Sequence, residues 1–150
     1  VSCSVKRVKK NGGIEAIKDR IKTPGTVDIG VIDAGKHSSG DLTVAQIAFI
    51  NEFGVGVPER SFMRTTIAEE RSKIKAKKKK YLSLITKGEI KTNKALALLG
   101  EYLADKIRLK IIKIKSPPNS PRTIALKKGK ANPLIDTGQM KNSITYKVNR

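Results

Sequence analysis

The stretch Ala95–Ile111, ALALLGEYLADKIRLKI, decides how this chain folds. Ala95, Leu98, Leu99, Tyr102, Leu103, Ile107 and Ile111 recur at three- and four-residue steps, so they share one face of a helix. This is the strongest amphipathic stripe in the sequence, and we read it as the central core helix. Ser116-Pro117-Pro118-Asn119-Ser120-Pro121 stops it, because proline lacks the amide N–H that a helix interior needs.

Upstream, Thr86-Lys87-Gly88-Glu89 has capping-box spacing and predicts a break and restart. Before it, a helix from about Ser61 carries Met63, Ile67, Ile74 and Tyr81 on one stripe. The run Lys77–Lys80 circles that helix and must be solvated or meet acidic groups. Val44 to Phe53 is predicted as another helix, with Asp41 or Thr43 as N-cap and Gly54 at the left-handed position after its end. Thr26 to Asp33 alternates Val27, Ile29 and Val31 with Asp28, Gly30 and Ile32, the pattern of a strand. Ile144, Tyr146 and Val148 predict a closing strand. A short strand over Ser2 to Lys9, an Asn11-Gly12-Gly13 turn and an amphipathic helix bearing Ile14, Ile17 and Ile21 open the chain. A helical turn is expected around Arg122 to Lys128 and another over Thr137 to Asn142. The loop Ala34 to Gly40 is polar and expected to be mobile in an isolated subunit. The expected class is α+β: a mixed or antiparallel sheet of two to three strands packed with long amphipathic helices. The length suits one domain over residues 1–150.

Lys and Arg total 32 against 13 acids, a formal net charge of +19, so compaction needs counter-charge. Two readings of that charge stand open: a lysine-rich solvated surface, or contact with nucleic acid or an acidic protein. Apolar residues make up 38% and aromatics 4%, so the core is aliphatic and modest, and neighbouring subunits are expected to complete some apolar surface. One cysteine, Cys3, excludes an intrachain disulfide and fits a reducing compartment. The opening VSCSVKRVKK has no run suited to a signal peptide, and no window is apolar enough for a membrane span.

Two segments imitate catalytic motifs. Gly30-Val31-Ile32-Asp33-Ala34-Gly35-Lys36-His37 approaches a phosphate-binding loop, but His37 replaces the Mg²⁺-ligating hydroxyl and Asp33 puts a carboxylate where phosphate must sit. Leu134-Ile135-Asp136-Thr137-Gly138 resembles the aspartic-protease signature. That chemistry needs two aspartates sharing a proton within a β-rich fold. Asp136 or Thr137 capping a short turn accounts for it more simply. His37 is the only histidine, so no multi-histidine metal site forms within one chain. The reading is of a non-enzyme without catalytic, cofactor or metal residues. The basic segments carry no interleaved aromatics, so any nucleic-acid contact would go to the backbone and be salt-sensitive.

Two further segments carry a family resemblance. The first is Asn51-Glu52-Phe53-Gly54 followed by Pro58-Glu59-Arg60-Ser61-Phe62-Met63-Arg64. The second is Pro133-Leu134-Ile135-Asp136-Thr137-Gly138-Gln139-Met140 followed by Asn142-Ser143-Ile144. Together, in this order, they resemble the neck or tail-completion (head–tail joining) proteins of long-tailed bacteriophages and their prophages, over roughly Thr26 to Val148. Ser120 to Ala125 adds to the likeness. The family usually has Pro-x-Arg-Pro-Phe-x-Arg, and Ser61 here replaces its second proline. The resemblance implies an α+β fold, no catalytic activity, and assembly as a ring in the virion neck or at the top of the tail. Implied partners are further copies of the chain, head-closure or connector proteins, and tail-tube or tail-terminator proteins, in a virion made in the bacterial cytoplasm. The interface candidates are Asn51, Glu52, Phe53, Arg60, Phe62 and Arg64. Lys77, Lys78, Lys79, Lys80, Lys127 and Lys128 are the candidates for packaged DNA or an acidic partner. A basic nucleic-acid-binding protein of a mobile element and a tail terminator are the competing readings.

Overall fold

The computed structural model describes residues 13–22, 25–32, 34–38 and 41–149. Among them the elements run α1 (Gly13–Lys22), β1 (Thr26–Val31), α2 (Val44–Phe53), α3 (Met63–Glu69), α4 (Arg71–Lys87), α5 (Thr92–Lys113), α6 (Pro121–Leu126), α7 (Gln139–Asn142) and β2 (Ile144–Asn149). The class is α+β, with two strands in one antiparallel sheet. The expected strand over Ser2 to Lys9 lies outside the described residues.

The anticipated central helix is α5. Of the stripe the periodicity marks, Ala95, Leu99, Leu103, Ile107 and Ile111 are buried along it and Leu98 and Tyr102 half-buried, while Ala104 is buried beside them. It lies on the sheet, where β1 and β2 pair from Thr26↔Asn149 to Val31↔Ile144. The approach is close at Gly100: a Cβ there would stand 2.6 Å from Tyr146 Cγ and 2.8 Å from Val27 Cγ2. Arg108 ties helix to strand by donating to the Ile144 carbonyl at 2.5 Å. The core gathers Val44 and Ala48 of α2, Phe62, α5, Leu134, Met140 and Ile144. β1 and β2 therefore meet under one helix.

α4 returns along α5 in the opposite sense. Glu70 accepts from the Tyr102 hydroxyl at 2.5 Å, while Glu69 pairs with Lys110 at 2.5 Å. Two boundaries differ from expectation. The helix expected to run on from Ser61 breaks at Glu70, whose φ and ψ of −90° and 3° leave the helical range, so Met63, Ile67, Ile74 and Tyr81 do not form one stripe. The break falls where Glu69 and Glu70 reach Lys110 and Tyr102, about two turns apart along α5. The expected break and restart does occur between α4 and α5, but Thr86 does not cap the new helix. Gly88, at φ 78°, ends α4, and α5 begins at Thr92 with no side-chain cap. Arg20 of α1 instead donates to the Thr86 carbonyl at 2.9 Å. On α1 itself Ile14 and Ile21 remain exposed, so that stripe is largely uncovered among the described residues.

Candidate functional site

The site starts from the end of α2. Thr43, one of the two expected N-caps, closes a capping box with Gln46, and Gly54, at φ 71°, ends the helix in the left-handed conformation. The chain then doubles back so tightly that a Cβ on Gly54 would lie 2.9 Å from the Glu59 nitrogen. Arg60 N–H donates to the Asn51 carbonyl at 2.8 Å, closing the loop.

This return brings Glu52 under the start of α3. Its carboxylate is buried and accepts from Ser61 Oγ at 2.7 Å, from the amides of Phe62, Met63 and Arg64 at 2.7, 2.9 and 2.9 Å, and from Arg64 Nε at 3.2 Å. α3 has no cap from its own N-cap residue, Phe62. Glu52 supplies it from ten residues upstream, placing a negative charge where a helix exposes unpaired amides and the positive end of its dipole. Burial alone raises the Glu52 pKa. The amides of Arg64, Met63 and Phe62 with the Ser61 hydroxyl outweigh that, and the net direction is downward.

Arg60 points the other way. It is 6% exposed, and burial lowers its pKa. Its Nε donates to the Pro117 carbonyl at 2.7 Å, Nη2 to the Pro118 carbonyl at 3.0 Å, and Nη1 to Asn51 Oδ1 at 3.4 Å. One planar guanidinium thus joins the loop after α2 to the proline turn after α5.

The late segment is locked by similar means. Asn132 Oδ1 accepts from the amides of Leu134 and Ile135 at 3.0 and 3.1 Å. Lys127 Nζ donates to the carbonyls of Asn132, Pro133 and Ile135 at 3.1, 3.1 and 3.2 Å. Burial pushes its pKa down, against the Asp136 charge, with Arg60 and Lys130 adding to the fall. Gln139 reaches back to the loop after β1, accepting from Ser38 N–H at 3.1 Å and donating to the Lys36 carbonyl at 3.2 Å. Lys36 also bridges Thr43, and His37 N–H donates to the Leu42 carbonyl at 2.8 Å. Lys36, His37 and Ser38 of the Ala34 to Gly40 loop therefore have partners for their backbone groups, while residues 39–40 lie outside the described residues.

The two segments that carry the family resemblance face each other across one groove of about 830 Å³. Ile47, Asn51, Val57, Pro58 and Arg60 line one wall, and Pro133, Leu134, Asp136, Gln139 and Met140 the other. The Asn119 side-chain nitrogen, which also lines it, is buried without a hydrogen-bond partner among the described residues.

Of the six interface candidates, Glu52, Arg60 and Phe62 are buried within the chain and Asn51 is half-buried, so their first task is internal. Phe53 and Arg64 do reach the surface. Phe53 is 49% exposed, its ring 4.7 Å from that of Phe49 and 4.6 Å below the Arg64 guanidinium. Phe49 is exposed beside it, and Val55 and Val57 are exposed on the following loop, apolar surface that the sequence reading did not single out. The signal was there: Phe49 and Phe53 are four residues apart, on the face of α2 opposite Val44 and Ala48. Among the basic candidates, Lys77 lies 4.1 Å from the Tyr102 ring centre and the Lys127 ammonium is held internally. Lys78, Lys79, Lys80 and Lys128 are exposed.

The catalytic look-alikes are placed as well. α2, the next helix after Lys36, begins only at Val44, and Asp136 sits in a turn, not a strand. Among the described residues, no group of three or more His, Cys, Asp or Glu is placed to hold a metal ion, and no helix is long and apolar enough to cross a membrane. Protein-family models, curated proteins and solved structures give no match to this chain.

Proposed function

We propose that this protein is a structural component of a phage virion that joins head to tail, as one subunit of a neck or tail-completion ring. The observation that carries the reading is the pairing of the two resembling segments. They are some 70 residues apart in sequence, yet they face each other across one groove and are each locked by buried polar groups. That rigid frame presents Phe49, Phe53, Val55 and Val57 to solvent. An exposed pair of aromatic rings with exposed valines on the next loop fits a protein–protein contact. In a ring each copy would set this patch against a different face of its neighbour, a head-to-tail contact that closes by rotation.

Native mass measurement and electron microscopy of the chain with head-closure and tail-tube proteins test the reading. Closed oligomers at the joint are the expected result. Monomers alone and monomers with every neck partner would end it. In particles made without the protein, filled heads beside separate, complete tails are expected.

A further inference from the structure

α4 is a rigid helix with a cationic outer face. Eight of its 17 residues are Lys or Arg and none is acidic. Ile74, Tyr81, Leu84 and Ile85 turn inward, and the helix packs on α5 and α1. Arg71, Lys75, Lys78 and Lys79 are exposed and have no carboxylate partner among the described residues. Other cations nearby are engaged: Lys73 with Glu70, Lys110 with Glu69, and Lys77 and Lys106 with the Tyr102 ring. The free set forms one row, because residues three and four apart are neighbours on a helix.

We infer that this face of α4 binds the phosphate backbone of duplex DNA without reading its sequence. The spacing fits. Arg71, Lys75 and Lys79 advance by about 6 Å per step of four residues. Successive phosphates of one DNA strand lie about 7 Å apart, the roughly 3.4 Å axial rise combining with the turn of the duplex. Flexible lysine stems absorb the remaining difference. Composition favours DNA over an acidic protein surface. A protein contact needs an apolar anchor at its centre, and Leu82 is the only large apolar side chain exposed on α4. Lysine in place of arginine, and no aromatic on this face, suits backbone contact over base recognition. This inference does not rest on the head–tail reading, since ring formation and DNA binding are measured separately.

Fluorescence anisotropy of the full chain against a labelled 24-bp duplex, from 50 to 400 mM salt, tests it. Log affinity should fall linearly with log salt. The Lys75→Gln/Lys78→Gln/Lys79→Gln variant should flatten the slope by about 2.7 and weaken binding on the order of 100-fold at 0.15 M salt. A control with the same charge change, Lys36→Gln/Lys115→Gln/Lys147→Gln, should stay within one unit of the wild-type slope. Scrambling the duplex sequence should leave affinity unchanged. Circular dichroism checks that the variants keep their helix. Where the triple variant loses it, Lys75→Gln and Lys79→Gln singly should each flatten the slope by about 0.9. Equal flattening by the control overturns the inference, because net charge alone would then act. So does an unchanged slope in the α4 variants. Poly-glutamate competing as well as DNA at equal charge also overturns it, assigning the face to an acidic protein.

Discussion

Glu52 is the residue on which the site turns. Its carboxylate satisfies three backbone amides, one hydroxyl and one guanidinium nitrogen, so removing it orphans several buried donors at once. Glu52→Ala should destabilise the fold by about 3–5 kcal/mol. At this chain length that is a loss of roughly 6–20 °C in Tm. Glu52→Gln keeps the shape but turns a donor toward donors, and should cost about 2–4 kcal/mol. The pH dependence follows from the depressed pKa. In the unfolded chain the carboxyl takes up its proton near 4.5; in the fold it does so lower. The stabilisation is complete above 4.5 and is lost as pH falls through the folded value. Thermal melts at pH 7 and pH 3.5 should differ more for the wild type than for Glu52→Gln. Tyr102 moves the other way. Its hydrogen bond to the Glu70 carboxylate, with burial, raises its pKa to about 12. The phenol therefore stays protonated in the fold between about 10 and 12, and the stability it contributes is lost as pH rises through that window. Absorbance titration near 295 nm should show a late ionisation that Tyr102→Phe abolishes.

Among the elements, α5 against the sheet sets the tightest tolerance. Gly100→Ala gains about 1 kcal/mol of helix propensity. Its Cβ, however, would fall 2.6 Å from the Tyr146 ring and 2.8 Å from Val27, an overlap that costs about 1–3 kcal/mol or more. The clash should win, so the single variant melts below wild type. In a Tyr146→Ala, Val27→Ala background the same change should become neutral or stabilising, as calorimetry of the four proteins would show. The loop from Gly54 to Arg60 has a different logic. It is short, glycine-turned and fastened at both ends by Asn51 and Arg60, so it holds Val55 and Val57 outward without a core of its own.

For the whole molecule, charge and exposed apolar surface are in tension. A net +19 opposes bringing copies together, and like charges at four-residue spacing on α4 each cost about 0.2–0.5 kcal/mol of helix stability. The Phe49 patch works in the opposite direction by offering area to bury. Phe49→Ser/Phe53→Ser should leave the isolated chain's melting temperature within a few degrees, because both rings are about half exposed. It should abolish oligomers formed with neck partners, read by native mass. An unchanged oligomer would move the contact away from α2. High salt should favour those oligomers in the wild type by screening the self-repulsion.

What the sequence determined by itself is what neighbours within about four residues decide. The face of α5, an N-cap at Asp41 or Thr43 and the Gly54 turn that bound α2, and the strands around Val27 and Tyr146 were all legible, because helix, strand and cap periods are local physics. Lys127, Arg60 and Glu52 were visible only as polar residues in suggestive places. Their partners lie elsewhere: Arg60 closes on Pro117, 57 residues away, and Gln139 reaches Ser38, 101 residues away. Charge pattern alone cannot choose among many carbonyls and amides. That choice needs the register of α5 on the sheet, which sets where the proline turn and the late segment return. The same register splits α3 from α4 at Glu70, where the pull of Tyr102 and Lys110 overrides a continuous helical propensity. Only tertiary structure could decide these points, because a buried ion or carbonyl is satisfied by whichever group the packing brings within reach.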